Sequence, residues 1–138
     1  MSRVLVDSSF LFTLYNSNDN NHTRAITFSQ HTQDTPLVPD VVLPEVTFLF
    51  RREGGIPAVT AFLRHFSMAP VETIALTKPD IQRTEIIMTD YASAKLDFVD
   101  CAIMALAERL NIQKIATFDR RDFAMVRPAH CDYFELLP

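Results

Sequence analysis

Glycine is nearly absent from this chain of 138 residues, since it occurs only as the adjacent pair Gly54 and Gly55. Loops that bind phosphate groups through backbone N–H donors need several spaced glycines, as in the Walker and dinucleotide-binding motifs. The sequence contains neither kind of loop. It also lacks the G-x-S-x-G motif that presents the serine nucleophile in many hydrolases. These absences exclude the commonest nucleotide-binding and serine-hydrolase patterns.

Cysteine is equally scarce, with only Cys101 and Cys131, and neither belongs to a C-x-x-C motif. Zinc sites and disulfide frameworks need more cysteines at shorter, repeated spacings. We therefore expect both thiols to be reduced residues that pack within the fold. The four histidines are isolated in polar or helix-surface contexts, and we interpret them as surface residues.

Long apolar runs are missing as well, so no segment is predicted to span a membrane. The N-terminus reaches Asp7 too soon to contain the apolar centre of a signal peptide. Apolar residues make up 48% of the chain and charged residues 22%, as in soluble globular proteins. These features predict a single cytoplasmic domain over residues 1–138. The net charge of −4 argues against a protein that coats nucleic acid through bulk positive charge.

Short apolar segments alternate with helical patterns along the chain. Strands are predicted at residues 4–6, 36–39, 71–76, 114–117 and 133–136. Helices are predicted at about 10–14, 21–30, 41–52, 56–68, 79–92 and 98–110, with a firm stop at Gly54 and Gly55. Strands that alternate with helices indicate an α/β fold, a three-layer α/β/α sandwich around a mainly parallel sheet.

Acidic residues lie where these elements meet. Asp7 follows the first strand, Asp119 follows the 114–117 strand, and Asp97 and Asp100 lie at the start of the 98–110 helix. In a parallel sheet, the carboxyl ends of the strands and the amino ends of the following helices form one edge where ligands bind. We expect Asp7, Asp100 and Asp119 to converge there. Taken alone, Asp7 or Asp97 fits a helix cap as well.

Glu45 is a fourth candidate, because it is the one acid in the apolar run Leu43-Pro44-Glu45-Val46. Four acids at one edge would repel one another, so arginine, lysine or a metal ion has to offset their charge. Oxygen-rich sites favour Mg²⁺ or Mn²⁺. A metal held by carboxylates can activate water against a phosphodiester and stabilise the departing oxygen, which requires no protein nucleophile.

Four segments together resemble the motifs of PIN-domain proteins, and most closely those of the VapC-type toxins of bacterial toxin–antitoxin pairs. The segments are Val4-Leu5-Val6-Asp7-Ser8-Ser9, Leu43-Pro44-Glu45-Val46, Asp100-Cys101-Ala102-Ile103-Met104-Ala105-Leu106-Ala107 and Ala116-Thr117-Phe118-Asp119-Arg120-Arg121-Asp122-Phe123. Each segment is weakly specific by itself. Their order and spacing are fairly specific, and the resemblance covers nearly the whole chain.

The resemblance implies a PIN-like fold and a Mg²⁺- or Mn²⁺-dependent endoribonuclease with an acidic pocket of Asp7, Glu45, Asp100 and Asp119. It makes Asp7 and Asp100 the direct metal ligands, while Glu45 and Asp119 bind the metal directly or through water. One of the latter two can help to activate the attacking water. The resemblance also implies an RNA substrate, a homodimer, and a small antitoxin that covers the pocket.

Three residues are assigned supporting roles in this pocket. Asp97 precedes Asp100 by three residues, and the two share a helical face. Ser8 follows the first metal-binding acid in its motif. Thr117 can hold a metal-bound water or a carboxylate, although it equally fits an ordinary residue at a strand end.

Arg52, Arg120 and Arg121 are candidates for contacts with RNA phosphates. Arg52 lies seven residues after Glu45, on roughly the same helical face, and the other two follow Asp119 directly. Guanidinium groups bind phosphates through charge-assisted hydrogen bonds. Arg51 and Arg52 fit a solvated helix end equally well.

Three alternative interpretations account for parts of the same pattern. A phosphoacceptor receiver domain has acids at strand ends, but it needs paired acids at its first strand, where this chain has the single Asp7. A structure-specific DNA nuclease needs basic regions that engage a duplex, and this chain lacks them. A PIN-fold module that binds RNA or protein without cutting is the strongest alternative. The intact set of four acids favours cleavage over that alternative.

Overall fold

The computed structural model describes residues 2–138, so Met1, the first residue of the predicted domain, lies outside the described residues. The strands are β1 (Arg3–Val6), β2 (Thr35–Pro39), β3 (Glu72–Ile74), β4 (Lys114–Ala116) and β5 (Glu135–Leu137). The helices are α1 (Ser8–Tyr15), α2 (His22–His31), α3 (Leu43–Met68), α4 (Lys78–Asp90), α5 (Phe98–Leu110) and α6 (Arg121–Met125). Short 3₁₀ turns precede α3 and α5.

All strand neighbours in the five-stranded sheet run parallel, in the order β3-β2-β1-β4-β5. In the central strand β1, Leu5 lies opposite Leu37 of β2 on one side and Ile115 of β4 on the other. Val4 and Leu5 are buried, as expected for a central strand whose two faces are both covered. The predicted α/β sandwich with a parallel sheet is confirmed.

The chain changes direction across the sheet between β1 and β4. From β1 the chain steps outward to β2 and β3, and it then returns to place β4 and β5 on the other side of β1. Right-handed crossovers put α1, α2 and α3 on one face and α4, α5 and α6 on the other. The helix contacts agree, since α1 packs against α2 and α3, whereas α5 packs against α4 and α6. The carboxyl ends of β1 and β4 therefore border the crevice where ligands bind in such sheets.

α3 consists of two helical segments that meet at Gly55. This residue has φ 69° and ψ −164°, a conformation that a residue with a Cβ rarely adopts. Pro57 follows within the first turn of the second segment, where a missing N–H is tolerated. The predicted break between the 41–52 and 56–68 helices is thus confirmed as a kink.

α5 is the most deeply buried helix. Residues Asp100–Ala107 are all buried, which is expected for a helix that is apolar around most of its circumference. Cys101 lies within this buried segment, and both Cys101 and the half-buried Cys131 are free, as the sequence indicated. No helix within residues 2–138 combines the length and apolarity needed to cross a membrane.

Two of the four histidines differ from the surface interpretation. His22 and His130 are half-buried, and each places a ring nitrogen against a backbone oxygen, that of Thr13 at 2.9 Å and that of Ile112 at 2.8 Å. His31 and His65 are exposed, as expected. The backbone oxygens were not visible as partners from the sequence, because the contacts join separate elements.

A paired carboxylate fixes α4 against α5. Asp80 is 2% exposed and accepts hydrogen bonds from Arg109 Nε at 2.8 Å and Arg109 Nη2 at 3.0 Å. Asp80 also forms a capping box with Thr77 at the start of α4. Burial alone would raise the pKa of Asp80, but the bonds from Arg109 and Thr77 outweigh it and hold that pKa below 3.8.

Arg109→Ala should lower the free energy of unfolding by about 1–3 kcal/mol, because a buried carboxylate loses its charged partner. Arg127→Ala removes a solvent-exposed pair with Asp132 and should cost less than about 0.5 kcal/mol. Urea denaturation measures both values. The pKa of Asp80 is lowered in the folded state. The loss of unfolding free energy caused by Arg109→Ala should therefore be largest above pH 4 and become smaller as the pH falls below 3.8. Equal losses for the two variants would contradict this assignment.

Candidate active site

A cavity of about 360 Å³ lies at the crevice between β1 and β4. Its lining contains six carboxylates and two cationic side chains. The lining residues are Asp7, Ser8, Ser9, Glu45, Lys95, Asp97, Asp100, Asp119, Arg121 and Asp122. The structure therefore brings all four motif acids, Asp7, Glu45, Asp100 and Asp119, to one place.

Asp7 directly follows β1 and is 1% exposed. Its carboxylate accepts hydrogen bonds from the Ser8 backbone N–H at 2.7 Å, Ser9 Oγ at 3.0 Å and Thr117 Oγ1 at 2.7 Å. The bond from Ser8 makes Asp7 the N-cap of α1, so its capping role and its place in the cavity coexist. Burial raises the pKa of Asp7, the three hydrogen bonds lower it and nearby Glu45 raises it, with a net upward shift.

Ser8 connects two of the acids. Its hydroxyl oxygen lies 2.7 Å from Glu45 Oε1 and 3.3 Å from Asp7 Oδ1. The single hydroxyl proton is therefore directed mainly to Glu45, in the first turn of α3. This bond ties the start of α3 to the end of β1 across 37 residues of sequence.

Thr117 connects β4 to the same carboxylate. Its side chain is fully buried, and Oγ1 donates to Asp7 Oδ2 and accepts from the Asp119 backbone N–H at 3.0 Å. Ser9 completes the network, because Ser9 Oγ lies 3.1 Å from Thr117 Oγ1 and accepts from the Phe118 backbone N–H at 3.0 Å. The turn that carries Asp119 is thereby fixed to the end of β1, and the Asp119 side chain stays exposed.

Asp100 lies in the first turn of α5 and is 7% exposed. Burial raises its pKa to about 9, and the neighbouring acids Asp7, Asp122 and Asp97 add to the shift. At neutral pH the protein without a bound cation therefore holds a proton on Asp100. A cation bound close to Asp100 would favour its ionised form.

Asp97 occupies the N-cap position of α5, but its side chain makes no capping hydrogen bond. The backbone N–H of Asp97 instead donates to Asp122 Oδ2 at 3.0 Å. Asp122 is 7% exposed and accepts a second bond from Arg121 Nη1 at 2.8 Å. Asp122 thus links α6 to the start of α5, the helix that carries Asp100.

Three cavity residues were missed by sequence reasoning: Ser9, Lys95 and Asp122. Asp122 lies in α6, which has only five residues, too few to show a helical period in the sequence. The spacing of three residues between Asp119 and Asp122 is the sequence feature that could have indicated Asp122 as a cavity residue. Lys95 adopts a left-handed backbone with φ 54° just before α5, which no local pattern indicates.

The three candidate RNA-binding arginines lie in different places. Arg121 lines the cavity, as expected from its position after Asp119. The Arg120 guanidinium instead donates to the backbone oxygen of Pro138. Arg52 is exposed, lies 4.0 Å from Glu53 and is not among the cavity residues. The exposed position of Arg52 matches the solvated helix end that the sequence left open.

The chemistry of the cavity fits a divalent cation, although its geometry is spread out. Within residues 2–138, no three His, Cys, Asp or Glu side chains are grouped closely enough to hold one ion as they stand. The donor set nevertheless consists of oxygens, and two of the carboxylates, Asp7 and Asp100, are buried with raised pKa values. Two cations face six acidic side chains, of which Asp100 is protonated at neutral pH because its pKa is raised, and the cavity stays negative. Bound Mg²⁺ or Mn²⁺ would offset this excess of negative charge.

Comparison with known proteins agrees with this geometry. The PIN domain family model matches residues 4–127. Ribonuclease VapC26 of Mycobacterium tuberculosis is 25% identical over 135 residues, which covers 98% of this chain and 100% of that protein.

Solved structures give the same result for the fold. The crystal structure of VapC20 of M. tuberculosis, a toxin that cleaves the sarcin-ricin loop, has a TM-score of 0.80 and 22% identity, and covers 93% of this chain and 98% of that one. VapBC2 of Rickettsia felis, bound to a DNA fragment from its promoter, has a TM-score of 0.70 and 12% identity, with 96% of both chains covered.

Asp100→Asn should stabilise the metal-free protein by a margin that grows as the pH rises. The unfolded chain releases the Asp100 proton near pH 3.8, whereas the folded protein holds it to about pH 9. Rising pH between these values therefore destabilises the wild type, while asparagine cannot ionise. We expect a gain of about 1–4 kcal/mol near pH 8 and almost none at pH 4.

Urea denaturation in EDTA across this pH range measures the margin. Asp132→Asn removes one exposed negative charge away from the cavity and serves as the matched control. A margin for Asp100→Asn that stays constant with pH would show that the Asp100 charge carries no penalty in the folded state.

Proposed function

The chain belongs to the PIN domain family, and on this premise we propose that it is an endoribonuclease and the toxin of a toxin–antitoxin pair. The observation that carries the proposal is the cavity at the β1–β4 crevice, which collects Asp7, Glu45, Asp100 and Asp119. These are the acids of the four family-like motifs. The match to Ribonuclease VapC26 along its whole length supports RNA hydrolysis as the activity.

We infer that Mg²⁺ or Mn²⁺ is the cofactor. Asp7 and Asp100 are the proposed direct ligands, and Glu45 and Asp119 are proposed to bind the metal directly or through water. A divalent cation, when bound, supplies the positive charge that acidifies water and stabilises negative charge on the departing oxygen. A bound cation would favour the ionised form of Asp100, whose carboxylate would then be available as a ligand.

The protein's own groups account for orientation and proton transfer. Ser8, Ser9 and Thr117 fix the Asp7 carboxylate through hydrogen bonds, so its oxygens are positioned before substrate arrives. Hydrolysis adds water to phosphorus and breaks a P–O bond, so a base must take a proton from the water and the leaving oxygen must gain one. We propose that Glu45 or Asp119, whose carboxylates are the more exposed, takes the proton from water.

Arg121 and Lys95 are the cations at the cavity, and we propose that they contact the phosphate that is cleaved. Asp122 holds Arg121 through a 2.8 Å bond, so the guanidinium direction is fixed. An arginine held in this way can bind phosphate with little loss of side-chain entropy.

We also propose an antitoxin partner, a homodimer and a cytoplasmic location. The support for the partner is that solved structures similar to this chain include a toxin–antitoxin complex from Klebsiella pneumoniae and DNA-bound VapBC from Salmonella typhimurium. An antitoxin that covers the acidic cavity would best present a basic side chain to it, given the excess of carboxylates.

The second candidate is a PIN-fold module that binds RNA or a protein without cutting. The observation that favours it is the spread of the carboxylates, since no three are grouped closely enough to bind one ion within residues 2–138. The nuclease candidate predicts that the protein cleaves RNA and that both cleavage and metal binding need Asp7. The binding-module candidate predicts no cleavage.

The purified protein should cleave RNA in Mg²⁺ or Mn²⁺, and EDTA or Asp7→Asn should abolish cleavage. Removing a charged ligand while the shape is kept should lower the rate at least about a hundredfold. A panel of structured and unstructured RNAs, analysed on denaturing gels, measures the activity. Asp132→Asn is the matched control and should cleave as the wild type does. Cleavage that persists without metal or without the Asp7 carboxylate would refute the metal-dependent mechanism.

Mn²⁺ should raise the thermal unfolding temperature of the wild type, because a ligand that binds only the folded state stabilises it. At a hundredfold excess over the dissociation constant the gain is about 2.7 kcal/mol. Asp7→Asn and Asp100→Asn should lose most of the shift, and Asp132→Asn should retain it. An equal shift in all four proteins would place metal binding outside this cavity.

A further inference from the structure

Arg24 and Arg120, both exposed, and the half-buried Phe118 form a cluster beside the acidic cavity, which we call the Arg24–Arg120 patch. The Arg24 guanidinium, from α2, lies over the Phe118 ring with 5.7 Å between Cζ and the ring centroid. Phe118 in turn stacks on Phe10, with ring centroids 5.7 Å apart and an interplanar angle of 10°. The aromatic ring is thus fixed from below by the core and covered from above by a cation.

Both guanidinium groups of the patch converge on one oxygen atom. Arg24 Nη2 donates to the backbone oxygen of Pro138 at 3.3 Å, and Arg120 Nη2 donates to the same atom. Two cations that share one acceptor repel each other unless an anion or a strong dipole lies between them. The pair is therefore arranged as a receptor for an oxygen that carries negative charge, and guanidinium groups bind phosphate oxygens well.

The patch adjoins the cavity directly. Phe118 donates its backbone N–H to Ser9 Oγ, and Ser9 Oγ donates to Asp7 Oδ2. Asp119, which lines the cavity, lies between Phe118 and Arg120 in the chain. A strand of RNA with one phosphate in the cavity would therefore have its neighbouring nucleotide over the patch.

The two arginines of the patch are not neutralised by acidic side chains. Within residues 2–138, neither Arg24 nor Arg120 forms a salt bridge with an Asp or Glu side chain, and both side chains are exposed, so a phosphate would have to displace only the Pro138 oxygen. Arg83, Arg109 and Arg121, in contrast, are all paired with acids. The acidic side chains of the cavity outnumber its two cations, so further cations beside the cavity would help to attract the RNA backbone.

We propose that the Arg24–Arg120 patch is a binding subsite for single-stranded RNA next to the point of cleavage. Arg24 and Arg120 bind backbone phosphate in place of the Pro138 oxygen, and a base stacks on the outer face of the Arg24 guanidinium, which lies over Phe118. Unpaired bases stack on aromatic rings and guanidinium planes in this way. The inference rests on the proposed function, because it names how the RNA of that site is held.

The test measures the affinity of a short, unstructured, fluorescein-labelled oligoribonucleotide by fluorescence anisotropy. The protein carries Asp7→Asn in magnesium buffer, so that the probe stays intact. In this background, Arg24→Ala and Arg120→Ala should each weaken binding about threefold or more. Each should also reduce the slope of log affinity against log salt by about 0.7, since one phosphate contact is lost.

Phe118→Leu separates stacking from charge. It should weaken binding about fivefold or more while the salt slope stays unchanged, because the ring that supports the Arg24 stacking plane is lost but no phosphate contact is. Arg127→Ala removes a distant exposed arginine and should leave both affinity and slope as they were. Thermal unfolding of each variant checks that the fold is intact, and the two exposed arginine variants decide the test if Phe118→Leu does not fold.

Wild-type affinity and salt slope in both Arg24→Ala and Arg120→Ala would overturn the inference and leave the pair as an anchor for the chain near Pro138. Failure of the probe to bind at all would overturn it too. The proposed function is tested apart from this. If the wild type cleaves RNA while both arginine variants bind normally, only the subsite is refuted. If the wild type does not cleave but both variants lose affinity, the subsite stands and the nuclease assignment fails.

Discussion

The buried carboxylate of Asp7 is the point on which the arrangement of this site depends. Three separate parts of the chain donate hydrogen bonds to it or are tied to its neighbours: α1 through Ser8 and Ser9, β4 through Thr117, and α3 through the Ser8 bond to Glu45. A carboxylate that loses water on burial needs such donors. The same bonds hold the end of β1, the turn after β4 and the start of α3 in fixed relative positions. The hydrogen bonds that position the side chains of the candidate site are therefore the same bonds that hold these elements of the fold together.

The cost of the arrangement falls on Asp100. Both carboxylate oxygens of Asp7 accept hydrogen bonds. Asp100 is instead buried beside other acids, and its burial and their negative charges raise its pKa to about 9. Replacing Asp100 by a residue that cannot ionise would remove this penalty, and it would also remove one of the proposed metal ligands. The rest of the fold supplies stability that offsets this cost, through the buried segment Asp100–Ala107 of α5 and the Arg109–Asp80 pair that holds α5 to α4.

The fold and the four motif acids could be predicted from the sequence because they depend on local pattern. Apolar runs mark strands, helical spacing marks helices, and the parallel topology then places strand ends together. The directions of long side chains could not be predicted. Arg120 and Arg121 are adjacent in sequence, yet one reaches Pro138 and the other the cavity, since each follows the nearest acceptor in the folded chain. Asp122 was missed because a five-residue helix leaves no period, and Arg24 was missed because its partners come from the other end of the chain.

The bond between Thr117 and Asp7 joins residues 110 positions apart in sequence, and the β1–β4 pairing spans a similar distance. During synthesis, the first strand therefore leaves the ribosome long before its neighbour exists. β1, β2 and β3 can assemble early. The residues of β4 and of the turn after it, which complete the cavity, are synthesised only when most of the chain has been translated. An unfinished chain has Asp7 and Glu45 without Asp100, Thr117 or Asp119. The order of translation thus keeps the acidic site incomplete until the cell has made nearly all of the protein.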